Sequence, residues 1–509
     1  MKLTRREAIR LGIVGGGGLL LPFGYQPPAQ AQFSPQVKRF DLPFRRPPLL
    51  QPVRSDDTTD YYEITMQKSR VEILPGKTTE IWGYNGMTPG PLIRQKGGKR
   101  DLGGRQSIIR FINQLGTDPQ GRPIKTSVHL HGMASLPQYD GYAEDLTAPG
   151  QYKDYIYPNE RPATLWYHDH AIDLTSRNAY MGLAGMYIVE DDYELTQLNL
   201  PQGEYDVPLI LQDKRFATDG SFIFDDRGQK GLFGDIILVN GVPWPHMEVA
   251  NRKYRFRLLN ASVSRGYQLA LSTGDDLIVI GTDAGLRGTP LKTKNFEIFP
   301  AERYEFIIDF SKYPVGTQIV LRNLGVPLSV DYSSNTQELM RFEVVRRESD
   351  DSTIPAVLRD FKPIDPALAV RTRTFRLERN INNWTINGRT WNKNRSEANP
   401  NYGDIEIWNL VSTGGWFHPI HIHLLDMQLL ARNGSSPRPY EIGWKDVFYV
   451  GEFQTVQVIG KFGPQIGRYM MHCHNLVHED HAMMAQFEVG QGGYSPFSAP
   501  PKSLPATPL

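Results

Sequence analysis

The sequence predicts an all-β protein built from three related β-sandwiches, and three observations carry that expectation. A chain of 509 residues exceeds the roughly 100 to 200 residues of an ordinary compact domain, so two to four domains are expected. After a Pro-rich lead-in (Pro43, Pro47, Pro48, Pro52), the chain breaks into short apolar or alternating runs. Ser107 to Ile112, Tyr254 to Leu259, Phe306 to Ile308 and Ile405 to Trp408 are examples, punctuated by Gly, Pro, Asn and Asp, with little helical periodicity. Runs of this length and pattern suit sandwich strands. A weak internal repeat then sets the number of units. Asn85-Gly86, Asn240-Gly241 and Asn387-Gly388 each open a unit, followed by an apolar strand ending in asparagine: Arg110-Phe111-Ile112-Asn113, Arg257-Leu258-Leu259-Asn260 and Ile407-Trp408-Asn409. The period of about 150 residues implies three sandwiches. Histidine pairs stand in the first and last only, so metal chemistry is expected there and not in the middle.

The expected divisions are a leader over 1–31, a first domain over 32–195, a second over 196–350, a linker over 351–369, a third over 370–495 and a tail over 496–509. The connector Asp350 to Ala369 is rich in charge and contains Pro355, Pro363 and Pro366, and another boundary falls near Asp191 to Asp206. In the leader, Thr4, Arg5 and Arg6 precede an apolar stretch from Leu11 to Phe23, and Ala29-Gln30-Ala31 supplies a small-x-small cleavage pattern. This reads as a twin-arginine export signal, giving a periplasmic or secreted bacterial protein. A membrane anchor is the competing reading. The stretch is broken by Gly15 to Gly18 and falls short of the roughly 20 residues that span a bilayer.

Lysine plus arginine (56) almost balances aspartate plus glutamate (55), leaving a formal charge of +1 without blocks of like charge. Nucleic acid is not an expected partner, and neither is stable membrane insertion; a monomer is expected. The single cysteine forbids an intramolecular disulfide.

Four clusters hold the chemistry: His129-Leu130-His131, His168-Asp169-His170, His418-Pro419-Ile420-His421-Ile422-His423, and His472-Cys473-His474 with His478 following. They contain ten of the twelve histidines and the only cysteine. One such pair could be two histidines on an exposed strand; four pairs that exhaust the histidine supply point to metal. Side chains two apart on a strand share a face, so each H-x-H offers two imidazoles together. Cys473 points opposite to its neighbours, placing a metal on its sulfur and metals on His472 and His474 on opposite sides of one strand. Successive Cα atoms are only about 3.8 Å apart, which gives electrons a covalent path. Thiolate, two imidazoles and a long axial thioether form the blue-copper set, offered here by Cys473, His418, His478 and Met483. Structural zinc sites favour paired cysteines or a closed four-ligand set, and that spacing is missing here. The other eight histidines suit three further coppers.

These four motifs, in this order and over nearly the whole mature chain, resemble those of the multicopper oxidases. Leu165 to His170 and Pro300-Ala301-Glu302-Arg303-Tyr304 resemble the bacterial spore-coat laccases, and His472 to His481 with Met483-Met484 resembles the bilirubin oxidases. The resemblance implies three cupredoxin-like Greek-key domains and four copper ions per chain: one type 1, one type 2 and two type 3. It implies His129 and His421 on the type 2 copper, and His131, His168, His170, His423, His472 and His474 on the type 3 pair. His246 and His481 match no ligand position. Glu479 and Asp140 match carboxylates proposed to deliver protons to the cluster, although either could instead orient an imidazole. Asp169, between two ligands, reads as a structural hydrogen-bond partner. Trp416, two residues before His418, either packs over the blue site or bonds to that imidazole.

The implied activity is one-electron oxidation of phenols, aromatic amines or tetrapyrroles, as in a laccase or bilirubin oxidase, coupled to four-electron reduction of dioxygen to water. The donor would give its electron at the edge of His478 or His418. Thirteen methionines without a methionine-rich insertion argue against a dedicated cuprous-ion oxidase, and the lone cysteine against disulfide-bearing plant-type relatives. Copper nitrite reductase would not need this many histidine pairs. An exported copper-free scaffold protein is the alternative from another class, but such proteins should have lost ligands.

Overall fold

In the computed structural model, which describes residues 34–98, 103–326, 334–381 and 383–509, each Asn-Gly pair of the repeat occupies the same kind of turn. Asn85, Asn240 and Asn387 have φ of 52°, 50° and 55°, and the glycines after them 70°, 80° and 71°. Two consecutive left-handed residues admit little besides Asn followed by Gly. Each asparagine Oδ1 also accepts from a backbone N–H across the strand, that of Thr65, Ile210 or Arg376, at 2.8 Å. Those three residues lie beside Ile112, Leu259 and Val411 on a parallel neighbour.

That register corrects one element of the repeat. The residue after the neighbour is Asn113 in the first unit and Asn260 in the second, and their Oδ1 atoms accept from Leu115 N and Ser262 N at 3.0 Å. In the third unit the equivalent position is Ser412, whose Oγ accepts from Gly414 N at 3.4 Å. Asn409 lies three residues too early: its strand, Ile405–Ser412, buries Glu406, Trp408, Leu410 and Ser412 on alternate positions. Glu406 tolerates burial because Arg373 forks onto it at 2.6 and 2.8 Å and the Trp408 indole donates at 2.9 Å.

Three pairs of sheets result, as cupredoxin-like sandwiches require. In the first pair Ile64, Phe111 and Tyr155 of one sheet pack on Val128, Leu165 and Tyr187 of the other. The middle pair closes around Leu209, Phe256, Phe306, Leu321 and Phe342. The last packs Phe375, Trp408 and Val458 against Ile420, Tyr469 and Cys473.

The histidine motifs fall on one sheet of the first pair and one of the last. The first contains β1 (Ile93–Lys96), β2 (Val128–His131), β3 (Ala163–Asp169) and β4 (Ala184–Glu190) in the order β1-β4-β3-β2, with helix α1 (Thr175–Met181) between β3 and β4 in sequence. The second contains β5 (Ser396–Ala398), β6 (His418–Ile422), β7 (Val447–Val450), β8 (Gly467–Cys473) and β9 (Met484–Val489) in the order β5-β9-β8-β6-β7, and α2 (Leu476–Asp480) follows β8. Both begin with a parallel pair, β1 with β4 and β5 with β9. The repeat therefore extends to the chemistry: His129 stands directly opposite His168, and His421 directly opposite His472.

The tail does not trail away. Lys502–Ser503 adds an edge strand beside Gln151–Tyr157 of the first sandwich, and Phe497 meets Tyr142 edge-on with centroids 5.4 Å apart. Among the described residues no helix is long and apolar enough to cross a membrane. The export signal and its cleavage pattern lie outside the described residues.

Candidate metal centres

The strand ends bring eight histidines together and set the thiol apart from them. His129 and His131 lie on β2 and His168 on β3, with His170 one residue beyond; His421 and His472 lie on β6 and β8, with His423 and His474 just past those strands. All eight are buried. The Nε2 atoms of His170 and His423 lie 3.0 and 3.1 Å from that of His472, forming one triad. A second group consists of His131, His168 and His474, with ring centroids 5.2 to 5.8 Å apart. His129 and His421 face each other between them, Nε2 to Nε2, at 3.4 Å.

The hydrogen bonds fix which nitrogen of several rings is bare. His129 Nδ1 donates to the carbonyl of Asp140 at 2.5 Å, His421 Nδ1 to that of Asp446 at 2.9 Å and His168 Nδ1 to that of Asp169 at 2.8 Å. A carbonyl only accepts, so the proton sits on Nδ1 and the lone pair on Nε2. In His129 and His421 two such lone pairs therefore point at each other. That arrangement is repulsive unless a cation lies between them, and it is what a copper bound by neutral imidazole needs. His131 is reversed: its Nε2 contacts Asp446 Oδ1 at 3.0 Å, leaving Nδ1 buried without a partner. His168 Nε2 and both nitrogens of His474 are likewise buried and unpartnered. Burial pushes His129, His131, His421, His423 and His474 well below the ordinary imidazole range, His168 to about 3 and His170 to about 4. These rings are neutral at physiological pH, the state a metal ligand requires.

On the opposite face of β8, Cys473 Sγ lies 3.6 Å from Nδ1 of both His418 and His478. His478 Nε2 donates to the carbonyl of Lys230 at 2.9 Å, which again leaves the lone pair, here on Nδ1, turned toward sulfur. Met483 is fully buried and packs in the same core cluster as Cys473, whereas Met484 turns into a separate one with Tyr142 and Met470. Burial pushes the free Cys473 thiol up, so a bound cation is what would favour the thiolate here.

The two carboxylates singled out in the sequence both touch this assembly. His423 Nδ1 and Asp140 Oδ2 are 2.8 Å apart, and burial raises Asp140 well above the usual carboxylate range. Glu479 Oε2 lies 2.9 Å from His472 Nδ1 and its Oε1 3.6 Å from His170 Nδ1. Burial works against its charge, but His472 and His170 outweigh that and hold Glu479 at about 2. Asp169 accepts from Ser127 N, Ala171 N and Asn178 Nδ2, the structural role expected of it; burial nevertheless pushes it up to about 7.

Three features differ from the sequence reading or escaped it. His418 and His478 are fully buried, so neither presents an exposed imidazole edge to a donor: Trp384 stacks on His478 at 3.9 Å and meets His418 at 5.2 Å. Trp416 lies in the bend before β6, with its ring against Phe417 and Phe233. Asp446, which directly precedes β7 and belongs to no motif read in the sequence, contacts His131 and His421 and was not foreseen. His246 begins the strand His246–Ala250 of the middle sandwich, and His481 approaches Asp226 at 3.7 Å; the sequence reads both as matching no ligand position.

Comparison with known proteins agrees with this geometry. Three multicopper oxidase family models match residues 65–194, 218–327 and 363–493. The chain is 41% identical over 488 residues to a bilirubin oxidase of Albifimbria verrucaria, covering 90% of this chain and 82% of the relative. It is 34% identical over 510 residues to a laccase of Bacillus subtilis, covering 87% and 97%. Among solved structures, the multicopper oxidase McoA of Aquifex aeolicus superposes with a TM-score of 0.78 at 30% identity, covering 89% of this chain and all of that one. These matches leave the copper-free scaffold alternative without support. The chain belongs to the multicopper oxidase family and is an oxidoreductase.

Proposed function

We propose that the protein holds four copper ions and oxidises phenols, aromatic amines or tetrapyrroles one electron at a time while reducing dioxygen to water. Cys473, His418, His478 and Met483 would hold the type 1 copper, His129 and His421 the type 2 copper, and the two triads the type 3 pair. When bound, copper supplies a one-electron couple at the thiolate and the four-electron reduction of dioxygen at the histidine cluster. The observation that carries this reading is the two-faced strand β8: Cys473 faces one site, while His472 and His474, one peptide away on either side, face the other. Trp384 covers the thiolate site and separates its imidazoles from donors. Glu479 and Asp140 sit at the Nδ1 atoms of His472 and His423, where they orient the rings and can pass protons inward. We infer export through the twin-arginine route from the Arg5-Arg6 leader.

Oxygen uptake with bilirubin, a simple phenol, a non-phenolic dye and cuprous ion, together with elemental analysis, tests the proposal. Uptake with the organic donors and four coppers per chain is expected; one copper or none, without uptake, would refute it.

Met483→Leu should raise the reduction potential of the thiolate site by about 60 mV or more, a tenfold shift for a one-electron couple. A redox titration showing no rise would exclude Met483 as the axial donor. Trp416 is 9% exposed, with Lys230 Nζ 6.0 Å from its ring, a pairing suited to an anionic aromatic donor. Trp416→Ala should lower bilirubin oxidation at least about tenfold more than oxidation of a small dye, a difference of about 1.4 kcal/mol. Equal losses for both donors would mean that the indole only packs.

A further inference from the structure

Among the described residues, neither the motif Pro300 to Tyr304 nor the sandwich that carries it joins a candidate ligand group. Its arginine nevertheless reaches the histidine cluster. Arg303 is completely buried and uses every donor of its guanidinium. Nε donates to the carbonyl of Thr164 on β3 at 3.0 Å. Nη1 donates to the carbonyl of Ala301 at 3.0 Å and to Asp446 Oδ1 at 2.7 Å. Nη2 donates to the carbonyl of Asp283 at 2.9 Å and to Asp446 Oδ2 at 2.5 Å. One side chain thus ties together all three sandwiches. Its fork matches a carboxylate in a way a lysine ammonium does not.

Asp446 passes this constraint on. Its Oδ1 is 3.0 Å from His131 Nε2 and its carbonyl accepts from His421 Nδ1 at 2.9 Å. Its own backbone N–H donates to Asp283 Oδ2 at 3.2 Å. Neighbouring Lys445 lies 2.8 Å from Asp283 and 2.9 Å from Glu302. The space is filled tightly: a Cβ on Gly132, the residue after His131, would stand 2.7 Å from Arg303 Nη2 and 3.0 Å from Asp446 Oδ2.

We propose that Arg303 is a positioning residue for the histidine cluster: through Asp446 it sets which nitrogen of His131 and of His421 is bare and where each ring points. The middle sandwich, empty of ligands, then shapes the cluster it borders. This rests on the ligand assignment made under Proposed function.

Arg303→Lys keeps the charge but loses the fork, and Asp446→Asn keeps the size but loses the paired acceptors. Each holoenzyme should release cluster copper to a graded copper(II) chelator at concentrations roughly 10 to 100 times lower than the parent does, the usual cost of disturbing a ligand's outer partner. The type 2 electron paramagnetic resonance signal should change shape, while the visible absorption of the thiolate site per chain stays the same. Arg257→Lys is the control. Arg257 is equally buried and bonds Asp206, Glu190, Glu194 and Glu305, none of which touches a cluster histidine. It should lower the thermal midpoint yet leave signal and copper retention unchanged. Parent-like signal and retention in Asp446→Asn overturn the proposal even if Arg303→Lys fails to fold, and so does an Arg257→Lys variant that loses cluster copper as readily. A parent protein without a type 2 signal would instead defeat the ligand assignment itself.

Discussion

Replacing Cys473 by Ser is expected to abolish the intense visible absorption of the protein and its turnover with every organic donor. The chain has one cysteine, so no other thiol can take over. Its sulfur stands 3.6 Å from Nδ1 of both His418 and His478, and a serine oxygen is a much poorer partner for a soft metal. The substitution also cuts the covalent path that leads from sulfur through one peptide step to His472 or His474. The packing cost is small, because Ser is nearly isosteric with Cys, although burying a hydroxyl without a partner costs about 1 to 3 kcal/mol. The eight-histidine cluster on the other face of β8 has all its ligands, so its type 2 resonance signal should persist. Visible spectroscopy with resonance measurements on the same sample checks both halves. Retained absorption would mean that the band does not arise from a metal–thiolate bond at all; loss of both signals would mean that the substitution unfolds the strand and says nothing specific about sulfur.

The parts of the molecule legible in the sequence are those written in short-range patterns. H-x-H spacing on strands, Asn-Gly turns and alternating apolar runs each depend on two to eight neighbouring positions, and the structure places those elements as expected. Contacts between distant segments leave no such trace. Asp446 meets His131 across 315 positions, and Arg303 meets Asp446 across 143; nothing local to Trp444-Lys445-Asp446 marks it as a neighbour of the cluster. The same holds for Lys230, whose carbonyl from the middle sandwich receives the His478 proton 248 positions away, and for Trp384, which covers the imidazoles expected to face donors. The Asn409 misreading has another cause. A strand alternates in two-residue steps, so an asparagine three residues from the equivalent position lies on the opposite face, and Ser412 performs the capping role with a hydroxyl that sequence similarity does not reveal.

Glu479→Gln is expected to slow steady-state oxygen reduction about 100-fold, at the lower end of what a positioned proton carrier contributes, without slowing the anaerobic bleaching of the thiolate site. Two roles are open to this side chain, and its surroundings bear on both. It is buried, with one oxygen 2.9 Å from His472 Nδ1 and the other 3.6 Å from His170 Nδ1, so it is near enough to orient His472 and only flanks His170. Ionised beside those rings, it has no proton of its own at neutral pH and would serve as a relay by accepting one and passing it on. Glutamine keeps the volume and one acceptor oxygen, which can still face His472 Nδ1, but it cannot take up a proton and pass it on. If orientation is the whole role, copper retention and turnover fall together, and a chelator competition will show the loss. If proton delivery dominates, copper content stays at the parent level, bleaching under nitrogen keeps its rate, and only reoxidation by oxygen slows. Stopped-flow bleaching beside steady-state uptake separates these cases. Equal slowing of both would assign Glu479 to the thiolate site, on the other face of β8.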